Sequence, residues 1–178
     1  MNKRQIDAQQ RRKQAEQFLA SSSIPDELAW AHMILGLQHE DDLAWEAAVV
    51  SYGKGVALNP GNPHTQYFCN NNLAFSLIQL GRFEEAEPYC RAAIEIEPER
   101  HNAHKNLGLA LQGLGQFLDA AKCFATASRI APADPRAWWF LEQLIESHQE
   151  VLSQSGELRL AVERLRWSVK AGDHAQVQ

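Results

Sequence analysis

Several things are missing from this sequence, and each absence narrows what it can be. No stretch approaches the roughly 20 apolar residues that a membrane-spanning helix needs, and the opening Met-Asn-Lys-Arg-Gln-Ile-Asp lacks the apolar core of a secretory signal. These two absences point to a cytoplasmic chain with no membrane partner. Cysteine is scarce: Cys69, Cys90 and Cys123 are odd in number, far apart and never in a C-x-x-C arrangement, so they read as reduced thiols. An overall basic surface is also absent. The formal net charge is −5, which argues against a nucleic-acid partner. The first seventeen residues run the other way, with Lys3, Arg4, Arg11, Arg12 and Lys13 against Asp7 and Glu16. A run so short and mixed reads as a solvated basic helix ahead of a nucleic-acid or lipid arm. Catalytic signatures are lacking too: there is no Gly-rich phosphate loop, no G-x-S-x-G and no H-E-x-x-H. His101 and His104 have the i, i+3 spacing of two metal ligands, but no third ligand accompanies them. The carboxylate pairs Asp41–Asp42 and Glu84–Glu85 lie near expected helix starts, where negative charge is favoured in any case. No enzyme activity, metal or cofactor is expected.

What is present is a repeat. The chain has 178 residues, 45% of them hydrophobic, enough for one domain or a short repeat array with a real core. Shifting the sequence by 34 residues lays Leu73 on Leu107, Leu77 on Leu111, Gly81 on Gly115, Phe83 on Phe117, Ala86 on Ala120, Ala93 on Ala127, Ile96 on Ile130 and Pro98 on Pro132. An earlier copy, 38 residues upstream, contains Leu35, Gly36, Ala48, Tyr52, Gly55, Leu58 and Pro60. The four extra residues, Pro63 to Gln66, follow Asn62, an N-cap and first-residue signal. Four residues are close to one helical turn. The insertion is therefore expected to lengthen the next helix by a turn without rotating its faces.

Each copy reads as helix, turn, helix. Leu73, Leu77 and Leu80 fall on one helical face. Gly81 offers a residue able to take positive φ where that helix ends. Ala86, Cys90 and Ala93 carry the inner face of the second helix, with Cys90 as a small buried hydrophobe, and Pro98 ends the pair. Pro88 falls early in that helix and is expected to bend it locally. After Asp134-Pro135, the stripe Trp138, Leu141, Ile145, His148 and Leu152 predicts a helix running to about Ser153. Beyond Gly156, the residues Leu158, Ala161, Val162, Leu165 and Val169 predict an amphipathic helix, with His174 to Gln178 frayed. Residues 3–20 predict a weakly amphipathic helix that has only Ile6, Ala15, Phe18 and Leu19 as larger apolar positions, broken from the rest by Ser21, Ser22, Ser23 and Pro25.

The order Leu-Gly, Ala, aromatic, Ala, Pro at a period of 34 resembles the tetratricopeptide repeat. The best copy has Leu107-Gly108, Leu111, Ala120, Phe124, Ala127 and Pro132. It departs from the family at His104, the middle copy departs at Asn70 and Cys90, and the first at His39 and at Leu43, which stands where the turn glycine belongs. The resemblance implies an all-α solenoid of three helix-turn-helix repeats, at 29–62, 67–100 and 101–134. Residues 1–28 would form a basic helix and linker, and 135–178 a degenerate fourth repeat supplying a two-helix cap and a tail.

In that family the first helices of successive repeats line a concave groove that takes extended peptides. The residues of this chain that would line it are Trp30, Met33, Ile34, Leu37, Phe68, Asn71, Asn72, Phe75, Asn102, Lys105, Asn106 and Leu109. The resemblance thus implies an adaptor or chaperone-like module binding a protein or peptide segment. Apolar residues would anchor the segment, while Asn72 and Asn106 would hold its backbone, since an amide both donates and accepts. Two readings stay open for Trp30, Phe68 and Phe75: they contact a partner, or they pack on the N-terminal helix and fill the inner curve. Family members that hold the acidic tails of heat-shock chaperones use a clamp of Lys, Asn and Arg. The matching positions here are Met33, Leu37, Asn72, Asn102 and Asn106, of which only Asn72 fits, so a two-carboxylate tail is not expected. Two alternatives accompany this reading. One is a chaperone of type III secretion translocators, which the size and the leading helix resemble. The other is a scaffold that self-associates into a homo-oligomer through its groove or cap, with Leu160 and Trp167, which lie off the core stripe, as candidate contacts.

Overall fold

The computed structural model of the chain describes residues 3–175, with side chains described at 7 and at 9–168. The sequence-based expectations for Lys3, Arg4, Ile6, Val169 and the His174–Gln178 tail fall outside those side chains. All ten regular elements among the described residues are helices, and they divide into two compact units, residues 1–98 and 99–178.

The first unit holds α1 (Lys3–Ser21), α2 (Pro25–Asp41), α3 (Trp45–Ala57), α4 (Pro63–Gln79) and α5 (Phe83–Ile96). Helices α2 and α3 pack as one pair and α4 and α5 as the next, α4 lies against both α3 and α2, and α1 packs on α2. Asn62 caps α4, its side-chain oxygen accepting from the Thr65 N–H at 3.0 Å, with Pro63 at the first helical position. The Asp26 carboxylate accepts the Asn62 N–H at 2.9 Å and so ties the start of α2 to the start of α4. Helix α4 has 17 residues against 13 in α6, which is the extra turn the insertion predicts. Helix α2 is also 17 residues long and already begins at Pro25. Helix α5 runs from Phe83 to Ile96 with Pro88 inside it.

The second unit holds α6 (His101–Gly113), α7 (Phe117–Ile130), α8 (Pro135–Ser147), the single turn α9 (Val151–Gln154) and α10 (Gly156–Ala175). Helices α6 and α7 form a pair, and α8, α9 and α10 all pack on α7. Helix α8 stops at Ser147 and does not continue to about Ser153 as its apolar stripe predicts. His148 leaves helical geometry (φ −135°, ψ 66°) and stacks its ring on Phe117 at 3.6 Å. The chain then turns into α9, which buries Val151. A stacked ring and a buried valine outweigh the continuation of a periodic stripe.

Within the pairs, the Leu-Gly signature has a steric cause. A Cβ added at Gly108 would meet the Phe124 ring at 2.5 Å, and one at Gly36 would meet the Tyr52 ring at 2.6 Å. The second helix thus lays its aromatic directly on the backbone of the first, and both rings are fully buried. In the middle pair the aromatic is replaced by the smaller Cys90, and the glycine register is filled by Ala74. Both are buried without residual exposure.

The inter-helix turns share one hydrogen-bond pattern. The N–H of Arg82 reaches the carbonyl of Leu77 at 2.9 Å, that of Gln116 reaches Leu111 at 2.9 Å, and that of Ala44 reaches His39 at 2.8 Å. The residue before each donor adopts positive φ: Gly81 (72°), Gly115 (75°) and Leu43 (56°). Leu43 accepts a backbone region that disfavours a Cβ, and its side chain is 70% exposed.

Candidate functional site

The residues expected on the first helices are best followed unit by unit. In the first unit, α1 lies along the stripe that begins at Trp30. Phe18 packs edge-on against the Trp30 ring at 5.7 Å between centroids, Ala15 is fully buried, and Gln9 and Arg12 border a furrow with Ile34, Leu37 and Asp41. Of the two readings left open for Trp30, packing on the N-terminal helix is the observed one. Met33 and Ile34 are each 8% exposed, and Leu37 is half-buried. Phe75 packs edge-on to Trp45 at 5.7 Å, and Phe68 packs against His64 and Tyr67.

The amides of α4 belong to a hydrogen-bond chain. Asn71 Nδ2 donates to Asn72 Oδ1 at 2.9 Å, and Asn72 Nδ2 donates to the Tyr52 hydroxyl at 3.3 Å. Tyr52 in turn bonds the Glu40 carboxyl, which also receives Ser76 Oγ at 3.5 Å. Burial pushes the Glu40 pKa up to about 7, against the pull of the Tyr52 and Ser76 hydroxyls, which favour the ionised form. The same burial raises Tyr52 above its ordinary value, with the neighbouring Glu40 charge adding to it. Asn72 therefore has one N–H and one lone pair committed and one of each left for another group.

In the second unit, Asn102 and Leu109 are half-buried, and Asn106 is 2% exposed, a buried amide and not an open one. Lys105 is the unexpected residue. It is 7% exposed, and its Nζ donates one long hydrogen bond, to Asn102 Oδ1 at 3.5 Å. Desolvation lowers its pKa, the nearby Arg136 guanidinium lowers it further, and Asp134 acts in the opposite sense. That Asp134 is already engaged. It caps α8 through the Arg136 N–H at 3.1 Å, receives the Arg136 side chain at 2.5–3.1 Å and takes His101 Nε2 at 3.0 Å. These partners, Arg136 first, hold the Asp134 carboxyl well below the usual carboxylate range. Among the described residues no carboxylate lies within 4.0 Å of the Lys105 ammonium. His101 is thus occupied by Asp134, and the described residues contain no group of three metal-ligating side chains.

Sequence reasoning placed Lys105 beside the central amides but had no signal for its burial, and it passed over Glu40 and the Tyr52–Asn72 bond. The periodic pattern assigns a face to each residue. It does not report which polar groups on that face lose their water.

The helix pairs have counterparts in known proteins. The tetratricopeptide-repeat family model matches residues 77–144. The small glutamine-rich tetratricopeptide repeat-containing protein 2 of Mycosarcoma maydis is 31% identical over 109 residues, which cover 61% of this chain and 29% of that protein. The chain contains tetratricopeptide repeats. Two solved structures show the same fold. The Arabidopsis OM64 TPR domain has a TM-score of 0.63 and 24% identity, covering 68% of this chain and 98% of that one. The second TPR domain of human RPAP3, solved in complex with the HSP70 peptide SGPTIEEVD, has a TM-score of 0.61 and 25% identity, covering 67% and 97%. The tetratricopeptide-repeat chain spans less than a third of the length of the curated relatives it matches.

Proposed function

We propose that this chain is a non-catalytic protein-interaction module whose partner presents an acidic group to Lys105. The observation that carries this reading is the buried ammonium itself. A desolvated cation without a counter-ion is costly, and a carboxylate arriving from a partner would offset that cost. Asn102, within hydrogen-bond reach of the ammonium, would share the same carboxylate. In the first unit, the remaining N–H and lone pair of Asn72 would take a partner's main chain beside the half-buried ring of Phe75. Two supporting facts come from outside the chain: its relatives are repeat proteins, and the human RPAP3 domain was solved with a bound acidic peptide. A single carboxylate at Lys105 differs from the two-carboxylate clamp that Met33, Leu37 and Asn102 argue against. A hydrogen bond to a charged group contributes about 1.5–3 kcal/mol, so one such contact changes affinity by about tenfold to a hundredfold.

The test is a comparative pull-down. Wild type, Lys105→Met, and the pair Asn72→Ala with Phe75→Ala are immobilised, checked for equal helicity by circular dichroism, and exposed to lysate of the native organism. Mass spectrometry then identifies the retained proteins. A partner kept by the wild type and lost by Lys105→Met supports the reading. Equal retention by all three removes the first helices from consideration.

A further inference from the structure

On the second unit, α7 and α10 leave an open furrow of about 470 Å³ between them. Its floor is apolar and small: Ala125 from α7 and Leu158, Ala161 and Leu165 from α10. Its rim is cationic, with Lys122, Arg129 and Arg164 against the single acid Glu157. Lys122 is paired with Asp119 at 2.8 Å. Arg129 and Arg164 make no ion pair among the described residues. Leu160 and Trp167, 53% and 75% exposed on the same helix, do not line the furrow.

We infer that the α7–α10 furrow docks an acidic amphipathic helix of a partner protein. Three features select that occupant. Both walls are helices, so the furrow offers no strand edge to an extended peptide, whereas a helix can lay an apolar stripe on the small floor residues. The floor positions on α10 run from Leu158 to Leu165 at helical spacing, a length that takes two to three turns of a second helix. The two unpaired arginines on the rim select acidic residues on either side of that stripe. A second copy of this chain fits less well. Its two most acidic helices already bury their apolar faces in their own unit: Ala29, Ala31, Met33 and Ile34 on α2, and Ala86, Cys90 and Ala93 on α5. The surface is separate from Lys105, which lies on α6, so the two readings can fail independently.

The probe is a synthetic, fluorescein-labelled helix of about 18 residues with leucine and alanine at i, i+3, i+4, i+7 and glutamate elsewhere, its termini blocked. A second probe has lysine in place of every glutamate. Fluorescence anisotropy is read as each is titrated with the full chain. The expected result is saturable binding of the acidic probe in the micromolar range, about tenfold or more tighter than the basic probe and weakened by added salt. The double variant Arg129→Glu, Arg164→Glu changes only exposed side chains, so it should fold as the wild type does and lose that preference. Lys105→Met should leave binding unchanged. Equal binding of both probes, no saturation with the acidic one, or loss on Lys105→Met would each overturn the inference. So would light scattering that finds dimers abolished by the double arginine variant, since the furrow would then belong to a second copy.

Discussion

Each unit keeps one charged residue under the surface of its first helices, and the two are treated differently. Glu40 in the first unit has hydroxyl partners from Tyr52 and Ser76, and its pKa rises to about 7, so near neutrality it can shed its charge by taking a proton. Lys105 in the second unit has a 3.5 Å contact to Asn102, the opposing field of Arg136 and the smaller favourable field of Asp134, a carboxylate already paired elsewhere. Losing its proton would leave an amine in the same dry site. The lesson is that burial of a charge does not by itself mark a binding site. The distinguishing feature is whether the fold supplies the groups that satisfy it. Glu40 is satisfied from within its unit, whereas Lys105 has no carboxylate within ion-pair distance among the described residues.

The sharpest way to break this comparison is Lys105→Met. It should weaken partner binding by about 1.5–3 kcal/mol, the range for a lost charged hydrogen bond, measured by titration of the captured partner. It should also stabilise the chain by about 1 kcal/mol in urea unfolding, because a desolvated cation becomes a hydrocarbon. Unchanged binding together with lower stability would make Lys105 a structural residue. Next in size is Gly108→Ala, which forces a Cβ to 2.5 Å from the Phe124 ring and should cost about 1–3 kcal/mol by overpacking. Ala74→Gly, facing the smaller Cys90 register, should cost only the roughly 1 kcal/mol of helix propensity. Chemical unfolding of both variants separates ring contact from propensity. Leu43→Gly should gain about 1 kcal/mol by relieving a left-handed leucine, while Gly115→Ala should lose a similar amount at the matching turn. The effect of Glu40→Gln depends on pH. The unfolded carboxyl titrates near 4.5 and the folded one near 7. The folded state therefore binds more protons between those values, and wild-type stability falls as pH rises through that window. Thermal melts should place Glu40→Gln above wild type at pH 8, with the gap closing towards pH 5. A gap that widens at low pH would refute the assigned cause.

The turns show how far the sequence could be read. Gly81 and Gly115 announce positive φ because glycine alone tolerates it cheaply, and the structure has them at 72° and 75°. Leu43 carries no such signal, yet it completes the same hydrogen bonds, because the flanking pair α2 and α3 is held by the Tyr52–Gly36 contact and the turn has to follow. The C-terminal region was less legible. The stripe from Trp138 to Leu152 is periodic throughout, and only the Phe117 ring, 31 residues before His148, ends the helix. The expected contact residues divide in the same way. Their placement on first helices follows from period and register, while the burial of Asn106, Lys105 and Met33 and the α1 cover on Trp30 come from neighbours distant in the chain.

The sequence by itself determined the all-helical repeat, the glycine turns, the N-caps at Asn62 and Asp134 and the extra turn of α4. Each of these is a local consequence of spacing, backbone freedom or a side chain reaching its own backbone. Tertiary structure alone decided which polar groups lose water and what they meet: half-buried Glu40 among hydroxyls, half-buried Asn72 tied to Tyr52, and buried Lys105 beside a carboxylate already taken by Arg136 and His101. Desolvation depends on what packs from other helices, and a 34-residue period carries no record of that.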